Sequence, residues 1–133
     1  MSDPIGLPPA GVDALQRLRD RRDVNTVILR CAQKPPVMAV ELEGNLTHEE
    51  LLASLPPDAA RLVVHELAFA SRAGSRRHET LLILWVPGET LERDEACAAG
   101  YTALKETLTD VRVHLTAGRR DQLDHRRLVA LTD

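Results

Sequence analysis

Five histidines and two cysteines have the widest chemical range of any side chains in this 133-residue sequence: imidazole can bind a metal or move a proton, and thiolate can attack or ligate. Their spacing argues against both uses. His48, His65, His78, His114 and His125 never fall three or four residues apart, the helical interval that places two imidazoles on one ion, and none sits beside a cysteine pair. They read as neutral surface groups. Cys31 and Cys97 fall in a strand-like and a helix-like segment and read as small buried hydrophobes. The sequence has no Gly-x-Ser-x-Gly elbow, no glycine-rich phosphate loop and no paired carboxylates near a polar strand end. Asp124 beside His125 cannot form a relay by adjacency on a helix. The chain therefore does not read as an enzyme and implies no cofactor and no metal; a small hydrolase or transferase would need an organised polar pocket that the spacing does not predict.

The remaining chemistry is recognition by arginine. Arg72, Arg76 and Arg77 crowd a polar stretch from Ser71 to His78, and Arg119, Arg120, Arg126 and Arg127 crowd the C-terminal end. Guanidinium forks suit acidic protein surfaces, because they bind carboxylates through two parallel hydrogen bonds. Each cluster has a plainer use, as a solvated turn or as a favourable charge in a last helical turn. The overall charge of −3 argues against nucleic acid as a general partner, since that role needs an excess of Lys and Arg.

These clusters must be positioned by a core, and 44% apolar residues suffice for one. With one Phe, one Trp and one Tyr, that core must be built from Leu, Val and Ala. The length fits a single domain over 1–133, with 1–10 flexible. No segment approaches the ~18 apolar residues of a spanning helix, and no apolar run after Met1-Ser2-Asp3-Pro4 suits a signal peptide, so a cytoplasmic location without membrane insertion is expected.

The element pattern runs helix, two strands, helix, two strands, helix, strand, helix. Asp13 with Gln16 resembles a capping box opening a first helix with Leu15 and Leu18 inside. Val24 to Ala32 and Val37 to Leu42 read as a hairpin turning at Lys34-Pro35-Pro36. Thr47 with Glu50 forms a better box, with Leu51, Leu52 and Leu55 inward and Pro56-Pro57 closing the helix. Arg61 to Phe69 and Thr80 to Val86 read as strands, the second apolar throughout and so buried on both faces. Cys97, Tyr101, Leu104 and Leu108 make one stripe of a helix from about Glu92 to Leu108. Val111, Val113 and Leu115 alternate with wet positions in a further strand. Asp121 can cap a final helix with Leu123, Leu128 and Leu131 inward. The fold class is α/β of the mixed α+β kind, a central mixed sheet of five or six strands sandwiched by about four helices.

The basic turn, the apolar strand ending in Trp85-Val86-Pro87, the Ala-rich helix and Leu108-Thr109-Asp110-Val111-Arg112-Val113-His114-Leu115 resemble the actin-depolymerising-factor homology domain of cofilins, coactosins, twinfilins and glia maturation factors. The match runs from Thr80 to about Arg127. Glu41 to Gly44, Glu49-Glu50-Leu51, Leu55-Pro56-Pro57 and Arg61 to Val64 are similar to glia maturation factor in particular. The resemblance implies a cytoskeleton-associated monomer that binds actin filaments through Arg72, Arg76, Arg77, Arg126 and Arg127, brought together as one positive face. It also implies a monomer-actin contact at the start of the long helix, where cofilins carry lysines and a methionine. Here those positions read Glu92, Arg93, Asp94 and Glu95, and like-charge contacts of that kind weaken binding, so filaments are the expected partner over monomers. The alternative partner is the actin-related-protein branching complex, with debranching as the outcome. Ser2 stands where the resemblance implies a phosphorylatable serine; followed by Asp3-Pro4, it also reads as a plain N-terminal serine.

Overall fold

A computed structural model describes residues 6–20, 24–33, 36–88 and 95–132. In chain order these form α1 (Pro9–Asp20), β1 (Thr26–Gln33), β2 (Pro36–Gly44), α2 (His48–Ala53), β3 (Arg61–Ala70), β4 (Arg76–Trp85), α3 (Glu95–Thr107), β5 (Val113–Ala117) and α4 (His125–Thr132), with a 3-10 turn at Arg120–Leu123 before α4. The five strands make one sheet in the order β2-β1-β3-β4-β5. Neighbours are antiparallel except for the last pair, where Leu81 to Trp85 run parallel to Val113 to Ala117. A parallel pair needs a long crossover, which α3 supplies. The mixed sheet with four helices is the architecture expected from the sequence.

β3 and β4 form the middle of the molecule. Leu62 to His65 and Leu81 to Trp85 are buried at consecutive positions, which is why neither segment alternates cleanly. On one face Val27, Leu29, Leu62, Val64, Leu82 and Leu84 pack under α1 and α3, meeting Ala14, Leu15, Leu18, Cys97 and Leu104. The other face packs Ile28, Val63, Leu67, Ile83 and Trp85 against Leu51 of α2, Leu123 of the 3-10 turn and Leu128 of α4. Each fully buried leucine contributes about 1.5–3 kcal/mol relative to exposure, so a sheet covered on both sides compensates for the scarcity of aromatics. Trp85 fits this apolar layer because its indole N–H donates to the Pro56 carbonyl at 2.7 Å.

Local signals explain most element ends. The Thr47 box is complete: the Glu50 N–H donates to the Thr47 hydroxyl at 3.1 Å, and the Thr47 N–H donates to the Glu50 carboxylate at 2.9 Å. α1, however, opens four residues before Asp13. Pro9 begins it with a ring preset for the first turn and no N–H to orphan, and Gln16 inside the helix donates to Asp20 at 3.1 Å. Of the lead to residue 10 expected to be flexible, residues 1–5 lie outside the described part. Gly6, by contrast, accepts from the Met38 N–H at 2.8 Å.

Three further expectations are corrected. β4 starts at Arg76 rather than Thr80, because Arg76 to Glu79 complete the ladder with Ala70 to Leu67. Asp121 lies within the 3-10 turn, and α4 begins only at His125; Leu131 is 56% exposed, so Leu128 alone of the expected trio anchors that helix from within. Cys97 is buried as expected, but Cys31 is only partly so.

Arg120 joins the C-terminal segment to α2. Its Nε donates to the Leu52 carbonyl at 3.1 Å and its Nη2 to the Leu55 carbonyl at 2.7 Å, and its guanidinium carbon stands 5.8 Å from the centre of the Trp85 ring. Nearby, β5 meets β4 through close backbone contact: the Val86 N–H donates to the Ala117 carbonyl at 2.8 Å, and a Cβ added to Gly118 would lie 2.8 Å from the Val86 carbonyl oxygen.

Two stability effects follow. Gly118→Ala forces backbone apart and should cost about 1–3 kcal/mol, read as a lower urea midpoint with unchanged slope. Arg120→Ala removes charged donors from two carbonyls and a cation from Trp85, and should cost about 1–2 kcal/mol after allowance for solvent. Arg120→Lys should recover only part of that loss in the same measurement, since a single ammonium cannot span both carbonyls as a fork does.

Candidate functional site

The β3–β4 hairpin carries the first arginine cluster. Its turn is closed by the Ser71 N–H to the Ser75 carbonyl at 2.8 Å, the Gly74 N–H to the Ser71 carbonyl at 2.9 Å, and the Ser75 N–H to the Ser71 hydroxyl at 3.2 Å. Gly74 has φ of 87°, a left-handed conformation that glycine adopts without a Cβ penalty. Arg72 through His78 are exposed, so the tip extends past the packed core.

The basic stretch from Ser71 to His78, expected as a loop, is loop only as far as Ser75. Because Arg76, Arg77 and His78 belong to β4, strand alternation governs their directions. Arg77 lies opposite Phe69, in line with Glu79 opposite Leu67 and Ile83 opposite Val63, on the face that α2 and α4 cover. Arg76 lies opposite Ala70, and His78 opposite Ala68, on the face of α1 and α3. The sequence pair Arg76-Arg77 is thus divided between the two sides of the sheet. His78 Nδ1 stands 3.3 Å from a Glu66 carboxylate oxygen, which anchors the second side.

The C-terminal cluster is arranged around Asp121. Arg119 Nε lies 3.2 Å and Arg127 Nη1 3.9 Å from its two carboxylate oxygens, exposed pairs worth about 0–1 kcal/mol each that leave the guanidiniums accessible. Arg126 is exposed beside them, while Arg120 is directed to the Leu52 and Leu55 carbonyls in and just after α2. From the 3-10 turn, where Arg120 meets Trp85 at one end of β4, the chain reaches His125 near His65 at mid-strand. It then continues as α4, with Leu128 in the same apolar cluster as Leu67 and Phe69. Of the acidic segment expected to start the long helix, Glu95 is the exposed first residue of α3; Glu92, Arg93 and Asp94, like Ser2, lie outside the described residues.

Sequence spacing missed a convergence of histidines. His65 is 4% exposed, its Nδ1 2.9 Å from the Thr26 hydroxyl, and burial, reinforced by positive charge on His48 and His125, lowers its pKa to about 4. The His48 and His125 rings meet edge-on, with centres 5.7 Å apart. Both His48 nitrogens are enclosed and have no hydrogen-bond partner among the described residues. Burial, then His125, lowers the His48 pKa, while the Leu123 backbone and Asp124 act in the opposite sense. The reading of all five histidines as surface groups is corrected for His65, which is buried, and for His48, which is half-buried, while His125 is exposed as expected; the signal was absent because α2, β3 and α4 are far apart in sequence. Among the described residues no group of three or more His, Cys, Asp or Glu is arranged to hold an ion, and no helix is long and apolar enough to cross a membrane. A second feature the sequence did not reveal is an open cleft of about 370 Å³ between Arg19, Asp20, Asn25, Glu66 and His78, lined by both signs of charge.

Comparison with known proteins bears on what this surface is for. Residues 5–130 match the family described as cofilin/tropomyosin-type actin-binding protein. Actin-depolymerizing factor 3 of Arabidopsis thaliana is 27% identical over 110 residues, covering 80% of this chain and 79% of its own. Among solved structures, a cofilin of Streptomyces griseoflavus superposes with a TM-score of 0.82 at 22% identity over 95% of both chains. A coactosin of Entamoeba histolytica superposes with 0.78 at 19% identity, over 96% of this chain and 93% of its own. The fold is shared across these proteins, and the family match extends over nearly the whole sequence: the chain belongs to the cofilin/tropomyosin-type actin-binding proteins.

Proposed function

We propose that this protein binds actin filaments through a basic face made by Arg77 of the β3–β4 hairpin and Arg126 and Arg127 of α4, and modulates filament turnover by binding alone. The observation that carries this reading is the strand register that places Arg77 on the sheet face where α4 packs. Arg72 and Arg76 extend the positive charge around the hairpin tip and act in long-range attraction rather than in the central contact. Actin as partner is supported by the family match and by the names of the relatives. Filaments are favoured over monomers because Glu95 and the acidic residues before it set negative charge where cofilins carry lysines, and like charge opposed across an interface costs affinity.

Cosedimentation tests this. The protein should pellet with filaments at low salt and release as salt rises through the range where the Debye length falls below about 10 Å. Arg77→Ala combined with Arg127→Ala should weaken pelleting about tenfold or more, as expected for losing about 1.4 kcal/mol or more at the contact, with urea unfolding nearly unchanged. Arg76→Ala should weaken it less. Glu95→Lys should raise affinity for monomeric actin and leave pelleting unaltered. Absence of pelleting even at low salt, or a double variant that binds as well as the parent, removes the proposal.

A further inference from the structure

The tip of the β3–β4 hairpin carries a hydroxyl that the arginine face does not use. Ser75 is exposed, stands three residues after Arg72 and is followed directly by Arg76 and Arg77. Its backbone is tied on both sides, the N–H donating to the Ser71 hydroxyl at 3.2 Å and the carbonyl accepting from the Ser71 N–H at 2.8 Å. A serine so placed suits a kinase that selects arginine, in which an acidic subsite accepts the guanidinium three residues before the hydroxyl.

The same spacing occurs once more in the sequence, from Arg77 to Thr80, and the fold separates the two. Thr80 is half-buried within β4, opposite Glu66 in a ladder that runs from Arg76 to Trp85, and its neighbour Leu81 is fully buried. Presenting Thr80 in extended form would require β4 to peel away from β3. Ser75 lies just outside the last ladder pair, Ala70 opposite Arg76, so only the hydrogen bonds of the turn must open. Gly74 can leave its φ of 87° for an extended conformation without a side-chain penalty.

We propose that Ser75 is a phosphorylation site and that its phosphate turns the basic face off; the second half of this rests on the filament reading above. The Ser75 hydroxyl oxygen attacks the γ-phosphorus of a nucleoside triphosphate held by the kinase. The new O–P bond forms as the bond to the β-phosphate oxygen breaks, the hydroxyl proton passes to a carboxylate base of the kinase, and nucleoside diphosphate departs. The product carries a charge of about −1.5 to −2 at neutral pH, which offsets about half to two-thirds of the positive charge on Arg72, Arg76 and Arg77. Ser75 has the strand parity of Arg77, which sets the phosphate on the side of the sheet where α4 packs. There it competes with an acidic partner for the Arg77 fork and meets the partner's carboxylates with like charge.

The test treats the full chain with the catalytic domain of an arginine-directed serine/threonine kinase, magnesium and ATP. Peptide mass spectrometry then locates the phosphate, and modified and unmodified protein are pelleted with actin filaments at low salt. Phosphate should enter Ser75 and not Thr80; Ser75→Ala should take none and pellet like the parent, and Arg72→Ala should slow transfer about tenfold or more. The phosphorylated protein should pellet about tenfold or more weakly, with urea unfolding unchanged, and a phosphatase should restore it. Ser75→Asp should weaken pelleting less, because it adds one charge where phosphate adds nearly two. Transfer to Thr80 ahead of Ser75, or none to Ser75, overturns the site. Phosphate on Ser75 with pelleting equal to the parent overturns the switch and leaves the filament reading standing. If the unmodified protein itself does not pellet, the filament reading fails and takes the switch with it, while the peptide map still decides the site.

Discussion

The structure depends on the two-sided burial of the β3–β4 pair. A strand with solvent on one side can tolerate a slip in register. One buried on both sides cannot, because a shift of one residue exchanges Leu62 and Val64 for Val63 and His65 and misfits both layers at once. That constraint fixes the ladder from Arg61 opposite Trp85 out to Ala70 opposite Arg76, and so determines which way each exposed side chain of the hairpin projects. The directions of the basic residues at the tip are set by leucines and valines several residues away.

The same constraint gives the C-terminal segment its place. α4 is short and carries a single fully enclosed leucine, so its position relies on what precedes it: the Arg120 fork on the Leu52 and Leu55 carbonyls and the seat of Leu123 in the apolar layer. α2, α4 and the β3–β4 ladder therefore act as one unit on that side, and the basic groups of hairpin and helix are held relative to each other by the sheet between them. The other side is organised differently, with longer helices and ion pairs such as Arg17 with Glu43 and Arg19 with Asp110 binding α1 to its neighbours.

Much of this was legible in the residues, and what was not has physical reasons. The Thr47 box and the apolar run to Trp85 are local signals and were read directly, as was the Cys97–Leu108 stripe. The start of α1 at Pro9 was misplaced because Asp13 and Gln16 imitate a box that helix geometry did not need there. The extension of β4 back to Arg76 was invisible because exposed polar residues show no period, and only the partner strand recruits them. The division of Arg76 from Arg77 follows at once from that extension. The histidine joint could not be read at all, since three elements meet there only after the sheet forms. The acidic character of Glu95 was plain from sequence, because it needs no geometry to be seen.

The ends of the sheet have a consequence for crowding. Outer strands offer unpaired amides and carbonyls that a second molecule could extend. Here β2 is partly blunted by its own chain, with Gly6 bridging to Val37 and bonded to Met38, and β5 at the other border is five residues long with His114 and Thr116 turned to water. Among the described residues neither border gives a long, flat, apolar template for self-propagating cross-strand growth, so copies held at high local concentration can remain individual molecules.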